Sequence, residues 1–193
     1  MAATASALVK RSPGLRFTVA VLLLHILGGV AAGSVIGFTL GELGELGRRY
    51  GLDLRAPAAL VLLSAGIWDF ARGPMASIQP PRGVPAAWRR WPPLTFQFVY
   101  GLGLGAGIFT PYTAAAMYGL VAVTFAIGDP FVGAVVFGTY GLLRAVVSMI
   151  AAIVALRVDL FRVTAVLQQL RPSWRRVLGV VLVALFFVVA KSG

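Results

Sequence analysis

A series of long apolar runs, separated by short basic segments, limits how this chain can fold. The first run, residues 17–40, has 24 residues, and a helix of that length can cross about 30 Å of hydrocarbon. Of 193 residues, 59% are hydrophobic and 12% are charged, against averages of about 45–50% and about 25% in soluble domains. The chain is therefore predicted to be an all-α, polytopic transmembrane helix bundle forming a single membrane domain.

Five apolar segments are predicted to span the membrane, namely residues 17–40, 56–70 (extending toward 78), 94–127, 131–156 and 177–190. Residues 71–93 contain six prolines and are predicted to be a surface loop. Residues 157–176 combine arginines with periodic apolar side chains, the pattern of an amphipathic surface helix. Residues 94–127 are too long for one straight span and contain Pro111, which leaves one kinked helix or two short helices, and six spans as the alternative.

The N-terminal run has a second interpretation as a cleavable signal peptide. A basic start, an apolar stretch and the small residues Ala31, Ala32 and Gly33 fit that three-part pattern. The apolar run continues to Leu40, beyond the expected cleavage site, which favours an uncleaved span.

The cations indicate an orientation. The chain has 17 Lys and Arg residues and a net charge of +11. With five spans and a cytoplasmic N-terminus, twelve of them lie inside, namely Lys10, Arg11, Arg16, Arg72, Arg82, Arg89, Arg90, Arg157, Arg162, Arg171, Arg175 and Arg176. Four lie outside, namely Arg48, Arg49, Arg55 and Lys191. The positive-inside rule favours this multi-pass arrangement in the cell inner (plasma) membrane, and it explains the basic charge without a nucleic-acid partner.

The sequence contains a weak internal repeat. With a shift of 74 residues, Gly29 and Gly33 fall on Gly103 and Gly107; with a shift of 75, Asp69 falls on Arg144. We interpret this as a two-helix duplication with halves at 17–78 and 94–156, an architecture common in transporters. Chance similarity between glycine-rich helices is the alternative.

Glycines recur every four residues along the first and third spans, which places them on one helix face. Small residues on such a face let a neighbouring helix approach closely. The glycines predicted to serve helix packing are Gly29, Gly33, Gly37, Gly103 and Gly107.

Two charged residues lie deep in predicted spans. Arg144 is flanked by Leu142 and Leu143, and a charge at that depth costs about 2.5–3.5 kcal/mol on insertion scales. An intramembrane Asp69–Arg144 pair is predicted. In the alternative, Asp69 pairs with Arg72 and Arg144 meets backbone carbonyl groups.

Polar residues near the break at Pro111 suggest a cavity or a kink. Proline leaves one carbonyl without its helical donor, and nearby hydroxyl groups can bind the freed backbone. The residues assigned to this cavity or kink are His25, Thr39, Thr110, Pro111, Tyr112 and Thr113. The chain has no cysteine and one histidine, and no catalytic or metal motif is present, so neither an enzyme nor a cofactor or metal site is predicted.

The stretch from Gly103 to Tyr112 and the following Gly138-Thr139-Tyr140 resemble the CcdA/DsbD-type membrane proteins of the LysE-like transporter superfamily. The resemblance covers roughly residues 25–156 and implies a scaffold with an alternating-access core. Tyr112 stands where that family has a redox cysteine, and the first half lacks the Pro-Cys motif. The resemblance is therefore to a Cys-less relative, and cysteine-based electron transfer is not implied.

Two classes of function fit these features. In the first, the protein moves a small solute or ion through a transporter-like helical core. In the second, it is a non-catalytic accessory or assembly subunit within a larger membrane complex. The expected partners are the lipid bilayer and, for the second class, other membrane subunits or further copies of the chain.

Overall fold

The computed structural model describes residues 15–71, 86–107, 115–154, 173 and 176–187. Within these ranges the chain is helical with short connections and has no β-strand, so the predicted all-α class is confirmed there. The helices are α1 (Leu15–Arg49), α2 (Arg55–Ala71), a 3₁₀ helix (Ala86–Arg90), α3 (Pro93–Gly105), α4 (Ala116–Ile127), α5 (Pro130–Val154) and α6 (Arg176–Phe187).

Among the described residues, two helices, α1 and α5, are long and apolar enough to cross a membrane. Only 28% of the most apolar window of α1 and 22% of that of α5 are buried within the chain. The core helix of a soluble protein would instead be mostly buried. Helices α4 and α6 are also apolar but shorter.

Helix α1 continues nine residues beyond the predicted end at Leu40, so most of the stretch expected to be a polar connection is helical. Arg49 forms an ion pair with Glu45 one turn earlier, a spacing that supports helices. The helix ends where Gly51 adopts a left-handed conformation, with φ of 76°, which costs little without a Cβ atom.

The long apolar segment 94–127 contains two helices in the described part of the chain. Helix α3 ends at Gly105, and Gly107 has a φ of 72°, a conformation that commonly ends helices. Helix α4 begins at Ala116. The predicted break at Pro111 lies outside the described residues.

The predicted surface helix at 157–176 also lies outside the described residues, apart from Ser173 and Arg176. Helix α6 occupies the final predicted span as far as Phe187.

The chain divides into two compact units. The first takes its described residues from Met1–Ser34, Pro81–Thr110 and Phe137–Leu167, and the second from Val35–Pro80, Pro111–Val136 and Gln168–Gly193. The second unit has a core of buried side chains from α2, α6 and the start of α4, namely Leu62, Ala65, Ala115 and Leu182. Each unit draws on both predicted repeat halves, and the duplication itself stays a prediction.

Candidate functional site

The first unit contains a hydrogen-bonded histidine between helices. His25 of α1 is 1% exposed, and its Nε2 lies 2.8 Å from Ser148 Oγ of α5. The Ser148 hydroxyl donates its single proton to the Ala145 carbonyl at 2.8 Å. The direction of the His25–Ser148 bond depends on the imidazole tautomer, and with the Ser148 proton on Ala145 the serine oxygen is free to accept from Nε2–H.

Helix α3 covers the other side of the histidine. The Tyr100 ring stacks on the imidazole with centroids 5.5 Å apart, and Phe96 stacks on Tyr100 at 5.9 Å. Gln97, one turn before Gly101, is buried, and its backbone contacts the imidazole. The His25 ring therefore lies between α3 and α5.

Helix α5 carries a row of polar side chains on one face. Tyr140, Arg144 and Ser148 follow each other at intervals of four residues, the spacing that aligns side chains along a helix. Arg144 donates a hydrogen bond to the Tyr140 hydroxyl at 2.7 Å, with its guanidinium carbon 5.6 Å from the ring centroid. Arg144 also interacts electrostatically with Tyr100.

These residues form one group, which we call the polar cluster. Its members are His25, Gln97, Tyr100, Tyr140, Arg144 and Ser148. Two of its members, His25 and Arg144, were predicted site residues, and the other four were not. The four-residue spacing on α5 was the signal that could have identified Tyr140 and Ser148.

Close glycine contacts hold the three helices of the first unit together around the polar cluster. A Cβ atom on Gly29 of α1 would lie 2.9 Å from the Gly141 carbonyl oxygen of α5. A Cβ atom on Gly101 or Gly105 of α3 would clash with the α1 backbone at His25 or Gly29. Here no side chain separates the backbones, so the glycines set the distances at which cluster residues meet.

The other predicted packing glycines are distributed over both units. Gly33 faces the Phe137 carbonyl in the first unit, and Gly37 faces Gly133 in the second. Gly103 is buried in α3, and Gly107 follows the end of that helix.

Asp69 lies in the second unit and is 2% exposed. One carboxylate oxygen accepts a hydrogen bond from the Ala115 N–H at 3.1 Å, and the other accepts one from the Ala116 N–H at 2.9 Å. The carboxylate therefore lies at the N-terminus of α4, where helix N–H groups lack intrahelical acceptors.

The predicted Asp69–Arg144 pair joins residues that the structure assigns to different units. Each has a hydrogen-bond partner within its own unit, and the pair stays a prediction. The alternative partner, Arg72, lies outside the described residues.

Two of the six residues predicted to line a cavity or kink, His25 and Thr39, lie in the described part of the chain. His25 belongs to the first unit, whereas Thr39 lies in the second and donates its hydroxyl proton to the Val35 carbonyl within α1. Thr110, Pro111, Tyr112 and Thr113 lie outside the described residues.

A separate open groove of about 280 Å³ in the second unit is mainly apolar and lies beside Leu60 and Trp68.

The described residues contain no group of three or more His, Cys, Asp or Glu side chains able to hold a metal ion. No known protein family, curated protein or solved structure matches the chain. The polar cluster is therefore the feature from which a function can be argued.

Proposed function

We propose that this chain is a multi-pass integral membrane protein that moves a small solute or ion through the helices of its first unit. The observation that carries the proposal is the polar cluster. It places a guanidinium group, an imidazole, two phenol hydroxyls and a serine hydroxyl between helices that are otherwise mainly apolar.

The exposed apolar surface supports the membrane part of the proposal. On α5, Leu143, Val147 and Ile150 are 60%, 63% and 55% exposed, while Tyr140, Arg144 and Ser148 are half-buried. The three exposed apolar side chains would be stable in contact with lipid hydrocarbon, because exposing apolar surface to water is unfavourable. The half-buried polar side chains would then face the interior of a bundle.

The chemistry of the polar cluster supports the transport part. Polar and ionisable residues inside membrane helices are costly and commonly mark solute, ion or proton pathways. The Tyr140 hydroxyl and ring offset part of the cost of the Arg144 charge by a hydrogen bond and a cation–π contact. Donors held in this way are suited to contact a polar solute.

The membrane arrangement we propose has five spans, a cytoplasmic N-terminus and a location in the inner (plasma) membrane. It rests on the distribution of cations, which places twelve of 17 on one side. The resemblance to CcdA/DsbD-type proteins adds the idea of an alternating-access scaffold, without cysteine chemistry.

A flux measurement tests the proposal. Purified full-length protein is reconstituted into liposomes, and the entry of chloride, potassium, glycerol and glycine is followed separately by light scattering after an osmotic step. The protein is expected to raise the flux of at least one solute above that of protein-free vesicles. Arg144→Met should lower that flux about tenfold or more, corresponding to about 1.4 kcal/mol in the barrier.

Arg49→Met is the matched control, because Arg49 is an exposed arginine whose ion pair with Glu45 is outside the polar cluster. It should leave the flux unchanged. Equal loss in both variants would argue against a role for the cluster, and a folded protein with no flux of any solute would contradict transport.

The glycine contacts favour a second candidate function, that of an accessory subunit. Gly29, Gly101, Gly105 and Gly141 bring three backbones into direct contact, which suits a solid packing element. This function predicts that the protein leaves its native membrane in mild detergent as part of a stable complex with other subunits. Native mass spectrometry would show that complex, and an isolated chain with measurable flux would argue against it.

A further inference from the structure

We propose that His25 is a proton-binding site, in which Nδ1 takes up a proton while Nε2 stays bonded to Ser148. The purpose of the site rests on the proposed function, since a proton bound there would couple to solute movement. Proton uptake itself is independent of that function and can be measured without any solute.

One of the two imidazole nitrogens of His25 is available to bind a proton. We assign the proton of the neutral ring to Nε2, because the Ser148 hydroxyl donates to the Ala145 carbonyl and can then accept from His25. Nδ1 therefore has a lone pair, and this nitrogen is the one that can form a new N–H bond with a proton from water.

Nδ1 of His25 lies away from solvent. It is buried, and no group in the described part of the chain reaches it within ordinary hydrogen-bond limits, although the Gln97 backbone lies beside the ring. A buried polar atom without a partner costs free energy, commonly about 1–3 kcal/mol. In the neutral tautomer that carries its proton on Nε2, only that nitrogen is hydrogen-bonded, and Nδ1 is the position where a second proton would bind.

Groups on α3 can contact the ring once it is protonated. Proton uptake turns Nδ1 into a donor, and the backbone of Gln97, which contacts the imidazole, offers a carbonyl acceptor. The face of Tyr100, 5.5 Å from the imidazole centroid, is within the range of a cation–π contact. Both contacts stabilise the imidazolium, and they offset part of the larger cost of burying its charge.

The groups that face the imidazole from the packed helices are Gln97 and Tyr100 of α3 and Ser148 of α5. The charged member of the polar cluster is Arg144, which acts on Tyr100. A second positive charge within the same polar cluster is disfavoured, so we expect the site to hold its proton reversibly.

Nuclear magnetic resonance can observe this site directly, because the chain has one histidine. Full-length protein labelled with ¹⁵N-histidine is reconstituted into lipid bilayers, and the two ring nitrogens are recorded between about pH 9 and about pH 4, on both sides of the ordinary histidine pKa of about 6.5. We expect a neutral ring with the proton on Nε2 at high pH and a ring with both nitrogens protonated at low pH. A spectrum that does not change across this range, or a proton on Nδ1 at high pH, would overturn the proposal.

Ser148→Ala is the matched variant, since it keeps the imidazole and removes the acceptor of Nε2–H. The neutral ring should then become a mixture of both tautomers, whereas an unchanged tautomer would contradict the role of Ser148.

The result of the resonance experiment can be distinguished from the result of the flux experiment that tests the proposed function. A histidine that titrates in a protein that moves no solute would leave the proton site standing and overturn transport. A histidine that never titrates would overturn the proton site, however large the flux. In a protein that does move a solute, a pH dependence of the flux that survives in His25→Gln would show that His25 is not the coupling residue.

Discussion

Asp69 is a buried carboxylate whose two oxygens accept hydrogen bonds from the first N–H groups of α4. Asp69→Asn replaces one acceptor oxygen by an NH₂ group, which faces another donor. We expect the free energy of unfolding to fall by about 2 kcal/mol, or about 4–8 °C in Tm. Thermal unfolding of the purified protein in detergent, followed by tryptophan fluorescence, measures the change.

Asp129 provides the control for Asp69. It accepts hydrogen bonds from the N–H groups of Phe131 and Val132 at the start of α5, at 2.9 and 3.0 Å, but these bonds are exposed. Asparagine is a good cap where water is available, so Asp129→Asn should change Tm by less than about 2 °C. Equal effects at the two positions would show that burial of Asp69 does not matter.

At the scale of single residues, the sequence identifies charges better than their partners. Asp69 and Arg144 stand out because their neighbours are apolar, and the structure places both among helices. The contact between His25 and Ser148 joins residues 123 positions apart. This contact depends on how closely α1 and α5 pack, and the spacing of residues within either helix does not determine the distance between the two helices.

Glycine contacts between helices give a prediction at the scale of elements. A Cβ atom on Gly33 of α1 would clash with the Phe137 carbonyl of α5, whereas one on Gly47 would meet only leucine side-chain ends. Alanine stabilises a helix by about 1 kcal/mol relative to glycine. We therefore expect Gly33→Ala to lower Tm by several degrees and Gly47→Ala to leave it unchanged or raise it, by the same thermal unfolding measurement.

The same pair of variants tests whether the helices pack as described. The backbone at Phe137 cannot move aside without disturbing the buried Phe137 side chain, which is 1% exposed. Equal Tm values for the two variants would mean that α1 and α5 do not approach at Gly33.

Helix α5 carries a half-buried polar row (Tyr140, Arg144 and Ser148) beside an exposed apolar row (Leu143, Val147 and Ile150), and the contact of each row with water can be compared. The chain has no cysteine, so each introduced thiol is unique. We expect Tyr140→Cys, in the polar row, to react with a water-soluble, membrane-impermeant thiol reagent in proteoliposomes. Leu143→Cys, in the apolar row, should react much more slowly. Leu143 is 60% exposed in the isolated chain, and lipid would cover it in the membrane.

Unequal reaction of this kind would require water to reach the polar cluster, as a solute path demands. If Leu143→Cys reacted and Tyr140→Cys did not, the lipid-facing and interior faces of α5 would be the reverse of those proposed.

The sequence predicts where the helices of this chain lie better than where they end. Runs of apolar residues locate α1 and α5, but α1 continues to Arg49 because ion pairing and glycine contacts support residues that look polar in the sequence. Likewise, α3 ends at Gly105, before the proline that suggested the break. Helix ends depend on local contacts, which a hydropathy pattern does not contain.

For the whole molecule, apolar surface and charge give complementary information. The exposed apolar surface of α1 and α5 indicates which helices suit a hydrocarbon environment, but it does not give their direction. The distribution of cations indicates which side of the membrane each loop faces. It does not fix the number of spans, because residues 94–127 could cross the membrane once or twice. Placing a single residue late in the chain on one side of the membrane would decide between five and six spans.

Single cysteines introduced at three positions can show on which side of the membrane each position lies. Tyr50, which is 78% exposed, Arg90 and Ser173 are exposed residues of the described chain. With five spans and a cytoplasmic N-terminus, a membrane-impermeant maleimide should label Tyr50→Cys in intact cells. It should label Arg90→Cys and Ser173→Cys only after permeabilisation. Six spans would leave the first two results unchanged but expose Ser173→Cys to the reagent in intact cells, and labelling of Arg90→Cys without Tyr50→Cys would reverse the orientation.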